Sequence, residues 1–396
     1  MAPFLRHWLF GLALIVGSTS ATLAAKPIKQ IAIGYLELQL PATPLLSNVL
    51  PEPEDSGLQG ARLGIADNNT AGRFLGQHYQ LLEARSDDPA TLTDAAERWY
   101  QQGARVLVAN VPTANLVDLS RQFADRDMVI FNSASQADEL RTESCLDNVL
   151  HTQASRAMLT DALAQWLLAK KLRRWLLIVG TREGDRAYAD AIKRSAKRFG
   201  GKIVAEKNWT FDADLRRTAQ KELPLFTQTD EYDVVVVADE PGDFGEFVLY
   251  NTWYPRPVVG TQGLKPVLWH RVVEQWGAAQ LQSRFGKQSG RWMTAKDYAA
   301  WAAVRSVAEA GRIRNLPADI PLKQRLLHPD FALAGFKGRK LSFRPWNGQL
   351  RQPIPLIQPR ALIAQSPQEG FLHPITDLDT LGFDRPESRC QLIADH

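Results

Sequence analysis

The residues that could do chemistry are polar side chains that directly follow short apolar runs. They are Asn110 and Thr113, then Asn132, Ser133 and Ser135, then the segment 180–185, and lastly Asp239 and Glu240. Hydroxyl groups, free backbone N–H groups and helix N-termini together suit anions and small polar molecules. Because ligands bind outside the carboxyl ends of the strands in open α/β sheets, the four clusters predict a ligand cleft.

Each cluster also has a purely structural interpretation, since Ser, Asn, Thr and Asp are common helix caps. A single cluster of this kind would be interpreted as a cap. Four clusters in two similar halves of the chain favour a cleft, because two facing lobes form a natural concave site.

Other kinds of site find little support in the sequence. No dinucleotide, phosphate-loop, zinc-protease or hydrolase-elbow motif occurs, and no two of the seven histidines have helical metal spacing. The acidic segment 51–55 lacks the ligand spacing of a calcium loop, so we interpret it as a solvated loop. A serine triad is a spatial arrangement, and no activated serine is apparent. An enzyme, such as a serine hydrolase, is thus the least favoured class, and we predict a protein that is not an enzyme and has no metal or cofactor.

Strand and helix patterns alternate through most of the chain. Strands are predicted at 28–38, 78–85, 105–110, 128–131, 174–180, 202–209, 232–240 and 255–263. Helices are predicted at 56–72, after Asp88, after Pro112, at about 154–170, at 186–201, near 215–219 and at 294–313. This alternation implies an α/β fold in which parallel sheets are covered by helices on both faces. A short hairpin at 331–357 and an extended tail at 360–396 complete the prediction.

The N-terminal segment has the features of an export signal. Its apolar core, 8–17, is too short to span a bilayer, and small residues suited to cleavage follow it. We predict removal of residues 1–25 and a soluble protein in the periplasm, with a retained signal-anchor helix as the alternative. The net charge of +4 is too small to indicate a nucleic-acid partner.

The two cysteines, Cys145 and Cys390, are predicted to form a disulfide. An oxidising compartment favours the pairing of two thiols within one chain. The bridge would close a very long loop and tie down the C-terminal tail. Two free thiols are the alternative.

Four longer segments are specific enough to compare with known families. They are GLQGARLGIADNNTAGRFLGQHYQLLEARSDDPA (57–90), GTREGDRAYADAIKRSAKRFGGKIVAE (180–206), DYAAWAAVRSVAEA (297–310) and FKGRKLSFRPWNGQLRQPI (336–354). Their order and spacing resemble type I periplasmic solute-binding proteins of the branched-chain amino acid class. The resemblance covers most of residues 28–357 and implies two Rossmann-like, three-layer lobes with hinge crossovers that close on a ligand.

The resemblance also implies a division of the chain and a set of ligand contacts. The signal would be 1–25, the first lobe 26–134 with a return at 264–342, and the second lobe 135–263 with a hairpin and tail at 343–396. The implied contacts are Thr113, Asn132, Ser133 and Ser135 in the first lobe and Arg182, Tyr188 and Glu240 in the second. The chain departs from the family in the turn NVPTAN and in Ala189, where Gly is usual. These departures argue against an amino acid ligand.

Three shorter segments carry a narrower resemblance. They are NSASQADELR (132–141), VVGTQGLKPVLWH (258–270) and the tail with ESRC (387–390). They resemble a branch associated with alcohol-oxidation systems that use pyrroloquinoline quinone (PQQ). PQQ itself would require arginines and aromatic faces, which Arg182, Arg186, Trp253 and Tyr254 could supply.

The predicted function is the periplasmic substrate-binding component of an ABC-type transporter linked to PQQ-dependent alcohol oxidation. It would capture a small polar or anionic ligand between its lobes and deliver it to an ABC-type membrane permease. A periplasmic quinoprotein dehydrogenase is a further candidate partner. The alternative is a sensor or accessory protein of such a dehydrogenase, with a degenerate cleft.

Overall fold

The computed structural model describes residues 28–41, 50–209, 215–314, 316–317 and 319–392. The predicted signal segment, 1–25, lies outside the described residues. Within the described chain, no helix is long and apolar enough to cross a membrane.

The first lobe is built on a parallel sheet of five strands. The strands are β1 (Lys29–Leu38), β2 (Gln77–Ser86), β3 (Val106–Asn110), β4 (Val129–Asn132) and β5 (Val149–His151), in the order β2-β1-β3-β4-β5. The helices α1 (Leu58–Leu75), α2 (Pro89–Gln101) and α3 (Thr113–Gln122) connect the first four strands. Asp88 caps α2 as predicted, because its carboxylate accepts hydrogen bonds from the N–H groups of Ala90 and Thr91.

The second lobe repeats this architecture on a parallel sheet of four strands. Its elements in chain order are α4 (Arg156–Ala169), β6 (Arg174–Val179), α5 (Glu183–Phe199), β7 (Lys202–Asn208), α6 (Leu215–Phe226), β8 (Val234–Ala238), α7 (Gly245–Val248) and β9 (Val258–Gly260). The strand order is β7-β6-β8-β9. All of β8 is buried, as a central parallel strand covered by helices on both faces requires.

The remaining chain forms helices and two small antiparallel sheets. Its elements are β10 (Lys265–Pro266), α8 (Ala278–Ser289), α9 (Ala295–Ala310), α10 (Leu322–Leu326), β11 (Leu333–Ala334), β12 (Lys340–Phe343), β13 (Leu350–Arg351), β14 (Ile354–Gln358) and β15 (Ala361–Ser366). The sheets have the orders β10-β14-β15 and β11-β12-β13. Helix α8 was not predicted from the sequence.

The return of the chain to the first lobe depends on close packing of α1 against α9. Gly64 lets the helices approach, since a Cβ there would lie 2.8 Å from Cβ of Val304. The amide of Asn68 donates a hydrogen bond to the carbonyl of Val304 at 2.9 Å. The close packing therefore requires a small residue and an amide on the face of α1 that contacts α9, a face that is otherwise apolar.

Two expectations about the chain's organisation need correction. The sheet of the first lobe reaches residue 151, past the predicted division at 134, because β5 pairs in parallel with β4. Three residues form β5, a run too short to be recognised by its pattern. The segment 360–396 is also not simply extended, since β15 pairs with β14 and two 3-10 turns follow, at Asp377–Thr380 and Arg385–Glu387.

The predicted disulfide between Cys145 and Cys390 is confirmed. It joins the tail to the chain just before β5, across a sequence separation of 245 residues. The Ser388 hydroxyl donates to the carbonyl of Arg141 at 2.7 Å, so hydrogen bonding supports the same attachment. The bridge thereby holds the C-terminal tail against the segment that connects the two lobes.

Candidate functional site

The carboxyl ends of parallel strands from both lobes open onto one cleft of about 630 Å³. The first lobe contributes Leu38, Leu40, Asn110, Val111, Pro112, Thr113, Ala134, Ser135 and Gln136. The second lobe and the chain after it contribute Arg156, Leu159, Tyr188, Glu240, Gly260, Thr261, Lys265, Pro266, Val267 and Lys296. The strand ends singled out in the sequence thus face one another across a concave site.

The structure brings four of the seven predicted contact residues to this cleft. Thr113 and Ser135 line it from the first lobe, and Tyr188 and Glu240 line it from the second. The other three, Asn132, Ser133 and Arg182, lie outside the lining and have partners elsewhere.

Asn132 organises the turn after β4. Its side-chain oxygen accepts hydrogen bonds from the N–H groups of Ala134 and Ser135, at 3.2 and 2.8 Å. Its amide nitrogen donates to the carbonyl of Ser135 and contacts Nδ1 of His151, at 2.8 and 3.0 Å. The side chain of Asn132 therefore satisfies the hydrogen-bonding groups of the turn's backbone. It positions Ser135 and its hydroxyl and does not itself bind a ligand.

Ser133 and Arg182 are engaged away from the cleft. Both the N–H and the hydroxyl of Ser133 donate to the carbonyl of Ala109, and the residue is fully buried. The guanidinium of Arg182 pairs with Asp243, with Nε 2.6 Å from Oδ2. The sequence correctly predicted that Ser133 and Arg182 follow the ends of strands. Their side chains, however, do not reach the lining of the cleft.

The first lobe presents donor groups at the N-terminus of α3. No described side chain caps this end of the helix, and its first residue, Thr113, lines the cleft. The hydroxyls of Thr113 and Ser135 lie 2.8 Å apart, so one donates to the other and the second hydroxyl hydrogen is available. Unsatisfied N–H groups and the helix dipole favour a negative charge here.

The second lobe presents a bidentate ion pair between Arg156 and Glu240. Nε and Nη2 of Arg156 lie 2.7 Å from Oε1 and Oε2 of Glu240, respectively. Burial disfavours the guanidinium cation, but the hydrogen bond and charge of Glu240 outweigh it and raise the pKa of Arg156. Asp185 holds the backbone of this loop, because its Oδ1 accepts from the N–H of Glu240 at 2.8 Å.

Gly184 makes room for this pair in the first turn of α5. A Cβ at this position would overlap Oε2 of Glu240 and lie 3.6 Å from Nη2 of Arg156. The carboxylate of Glu240 therefore rests directly on the backbone of the helix terminus. The surrounding backbone therefore fixes the position of the pair in the cleft.

Two lysines that sequence analysis did not select also line the cleft. Lys296 pairs with Glu52, with Nζ 2.7 Å from Oε2. The side-chain ammonium of Lys265 has no hydrogen-bond or ion-pair partner among the described residues, and burial lowers its pKa, partly offset by Glu246 and Asp239. The signal for Lys265 was a single charged residue inside the apolar run 264–268.

The hydroxyl of Tyr188 is a buried donor without a partner in the described structure. The residue is 3% exposed and lines the cleft. Burial, followed by the charge of Glu240, raises the pKa of Tyr188, so the hydroxyl keeps its proton. A ligand oxygen in the cleft would satisfy this donor.

We expect Tyr188→Phe to leave the free energy of unfolding unchanged or to raise it by up to about 1 kcal/mol, because no hydrogen bond is lost. Tyr298→Phe is the matched control, since the Tyr298 hydroxyl donates to the carbonyl of Gly335 at 2.7 Å. That variant should lose about 1 kcal/mol. Denaturant unfolding measures both. Equal destabilisation of the two variants would show that the hydroxyl of Tyr188 has a partner in the free protein.

Comparison with known proteins places the chain in a family. A family model described as periplasmic binding protein matches residues 49–248, half of the chain. No curated protein matches the sequence. The chain belongs to the periplasmic binding protein family, whose members are solute-binding proteins and not enzymes, as predicted.

Solved structures show the same fold. A branched-chain amino acid ABC transporter periplasmic ligand-binding protein from Burkholderia xenovorans LB400 has a TM-score of 0.72 at 16% identity, over 92% of this chain and 100% of that one. A leucine-, isoleucine-, valine-, threonine- and alanine-binding protein from Brucella ovis, in a closed conformation, has a TM-score of 0.63 at 16% identity, over 84% and 89%. A solute-binding protein from R. palustris in complex with benzoate has a TM-score of 0.60 at 12% identity, over 86% and 98%. The predicted α/β fold of type I periplasmic binding proteins is thereby confirmed.

Proposed function

We propose that the protein is the periplasmic substrate-binding component of an ABC-type transporter. Its cleft is lined by strand ends of two lobes, so a ligand between them would contact both. Such a ligand favours a closed form, because only that form makes both sets of contacts. A membrane permease would then recognise the closed lobes. Export to the periplasm, with removal of residues 1–25, is part of this proposal.

The ligand that suits the cleft best is a small anion. The observation that carries this conclusion is that Lys265 and Tyr188 line one cleft, where the ammonium of the first and the hydroxyl of the second lack partners among the described residues. The open N-terminus of α3 adds a third attraction for negative charge. The structural neighbour from R. palustris holds benzoate, which is a carboxylate. We assign ligand contacts to Thr113 and Ser135 in addition to Lys265 and Tyr188.

We further propose a link to PQQ-dependent alcohol oxidation. Of the three segments that resemble this branch, two contribute to the cleft, through Ser135 and Gln136 and through residues within 260–267. Part of each of these two segments therefore lies where it would touch a ligand. Complete oxidation of a primary alcohol ends in a carboxylate, which agrees with the anionic character proposed here. A periplasmic quinoprotein dehydrogenase is a functional partner under this proposal.

Calorimetric titration of the mature chain against amino acids, short-chain carboxylic acids and PQQ tests the proposal. We expect micromolar or tighter binding of at least one carboxylic acid. If none of these candidates binds and the chain binds a quinoprotein dehydrogenase tightly, the result would instead favour an accessory protein with a degenerate cleft.

A further inference from the structure

The charges of the cleft do not balance once its internal pairs are counted. Four of the side chains that line it are charged, namely Arg156, Glu240, Lys265 and Lys296. Arg156 is neutralised by Glu240, and Lys296 by Glu52. Lys265 is then the one charge in the described lining without a partner. The cleft therefore offers a site for about one negative charge on a ligand.

The carboxylate of Glu240 is the only acidic group in the described lining, and it already has an ion-pair partner. Both of its oxygens accept hydrogen bonds from Arg156 in the planar bidentate geometry that makes such pairs strong. Its backbone is held by Asp185, and its oxygen rests against Gly184. An ammonium group placed beside it would meet the guanidinium of Arg156 at close range, which opposes binding by like-charge repulsion.

The free donors of the cleft all suit a carboxylate. They include the ammonium of Lys265, the hydroxyl of Tyr188, the remaining hydroxyl hydrogen of the Thr113–Ser135 pair and the uncapped N-terminus of α3. The remaining lining is largely aliphatic and includes Leu38, Leu40, Leu159 and Val267. A ligand with one carboxylate and an apolar body would match both parts of this surface.

We propose that the cleft selects small monocarboxylates that lack an amino group, and that the Arg156–Glu240 pair excludes amino acids. This inference rests on the proposed function as a solute-binding protein. A planar polyanion such as PQQ fits less well, since one unpaired cation faces it. The residues expected to hold PQQ, namely Arg182, Arg186, Trp253 and Tyr254, are outside the lining.

The test compares acids with the amino acids that share their carbon skeletons. The mature chain is titrated calorimetrically with isocaproate and leucine, isovalerate and valine, and hydrocinnamate and phenylalanine. Each pair differs only in the amino group, so the ratio of the two affinities isolates its effect. For the pair that fits the cleft best, we expect the acid to bind at least about tenfold more tightly.

Two variants test the role assigned to the ion pair. Arg156→Gln frees the carboxylate of Glu240, and Gly184→Ala displaces that carboxylate by occupying the space beneath it. Alanine is compatible with a helical position, so the second variant remains informative if the first does not fold. In both, the preference for the acid over the amino acid should fall by at least about tenfold.

Arg62→Gln is the matched control, because Arg62 forms a similar bidentate pair with Glu83 outside the cleft, at 2.8 and 2.6 Å. Its preference should equal that of the unmodified chain. An amino acid that binds as tightly as its partner acid overturns the proposed selectivity and leaves solute capture intact. An unchanged preference in folded Arg156→Gln and Gly184→Ala overturns the role of the pair. If no acid, amino acid or PQQ binds, solute capture itself fails, and the selectivity fails with it.

Discussion

Lys265→Gln is expected to weaken the binding of a carboxylate such as hydrocinnamate or isocaproate by on the order of 10–100-fold. The ammonium of Lys265 lines the cleft without a partner among the described residues, so it binds a carboxylate without breaking another pair. Hydrogen bonds between charged groups are stronger than neutral ones, and a partly buried site screens them less. Calorimetric titration at two salt concentrations measures the loss and its electrostatic part.

Lys287→Gln provides the control for this prediction. Lys287 is exposed on α8 and is not part of the cleft lining, yet its replacement removes the same formal charge. It should leave the affinity nearly unchanged. An equal loss in both variants would indicate a general effect of net charge, and no loss in Lys265→Gln would remove this residue from the site.

Removal of the disulfide is expected to lower the free energy of unfolding by about 5 kcal/mol, following the chain-entropy model for a loop of this length. The bridge spans 245 residues of sequence, so its loss releases a large part of the unfolded chain from constraint. The double variant Cys145→Ser and Cys390→Ser, unfolded by urea beside the oxidised chain, measures the effect. Most of it should appear as a shift in the midpoint of unfolding.

Reduction of the unmodified chain should reproduce the result of the double variant. Ligand affinity should change little at concentrations of urea well below the transition, since neither cysteine lines the cleft. A double variant as stable as the oxidised chain would show that the hydrogen bonds of the tail, such as Ser388 to Arg141, hold it without the bridge.

Local sequence patterns were sufficient to predict most strands and helices of the two parallel sheets. The run at 232–240 becomes β8, and the capped segment after Asp88 becomes α2. Both signals are contained in a few neighbouring residues, which explains their reliability. Of the missed elements, β5 lacks such a signal, whereas α8 has buried residues at helical spacing, Ala278, Leu281 and Phe285, that glycines interrupt. β5 is three residues long, and α8 is flanked by glycines and contains Gly286.

The candidate site was predictable only in part. Strand-end polarity selected Thr113, Ser135 and Glu240, and the family resemblance added Tyr188. The structure brings all four to one cleft. The same signal also selected Asn132, which instead fastens the turn that carries Ser135. A polar residue at a strand end can cap a helix, stabilise a turn or bind a ligand, and sequence alone does not separate these roles.

The sequence by itself determined the alternation of strands and helices, the position of the polar strand ends and the chemistry available at them. Periodicity and capping act over short stretches, so the residues that encode them are neighbours in the chain. Only the tertiary structure decided which charges remain free in the cleft. Arg156 and Glu240 are 84 residues apart and neutralise each other, whereas Lys265 reaches the same cleft unpaired. Pairing of charges depends on distances of a few ångströms between distant parts of the chain, and packing alone sets those distances.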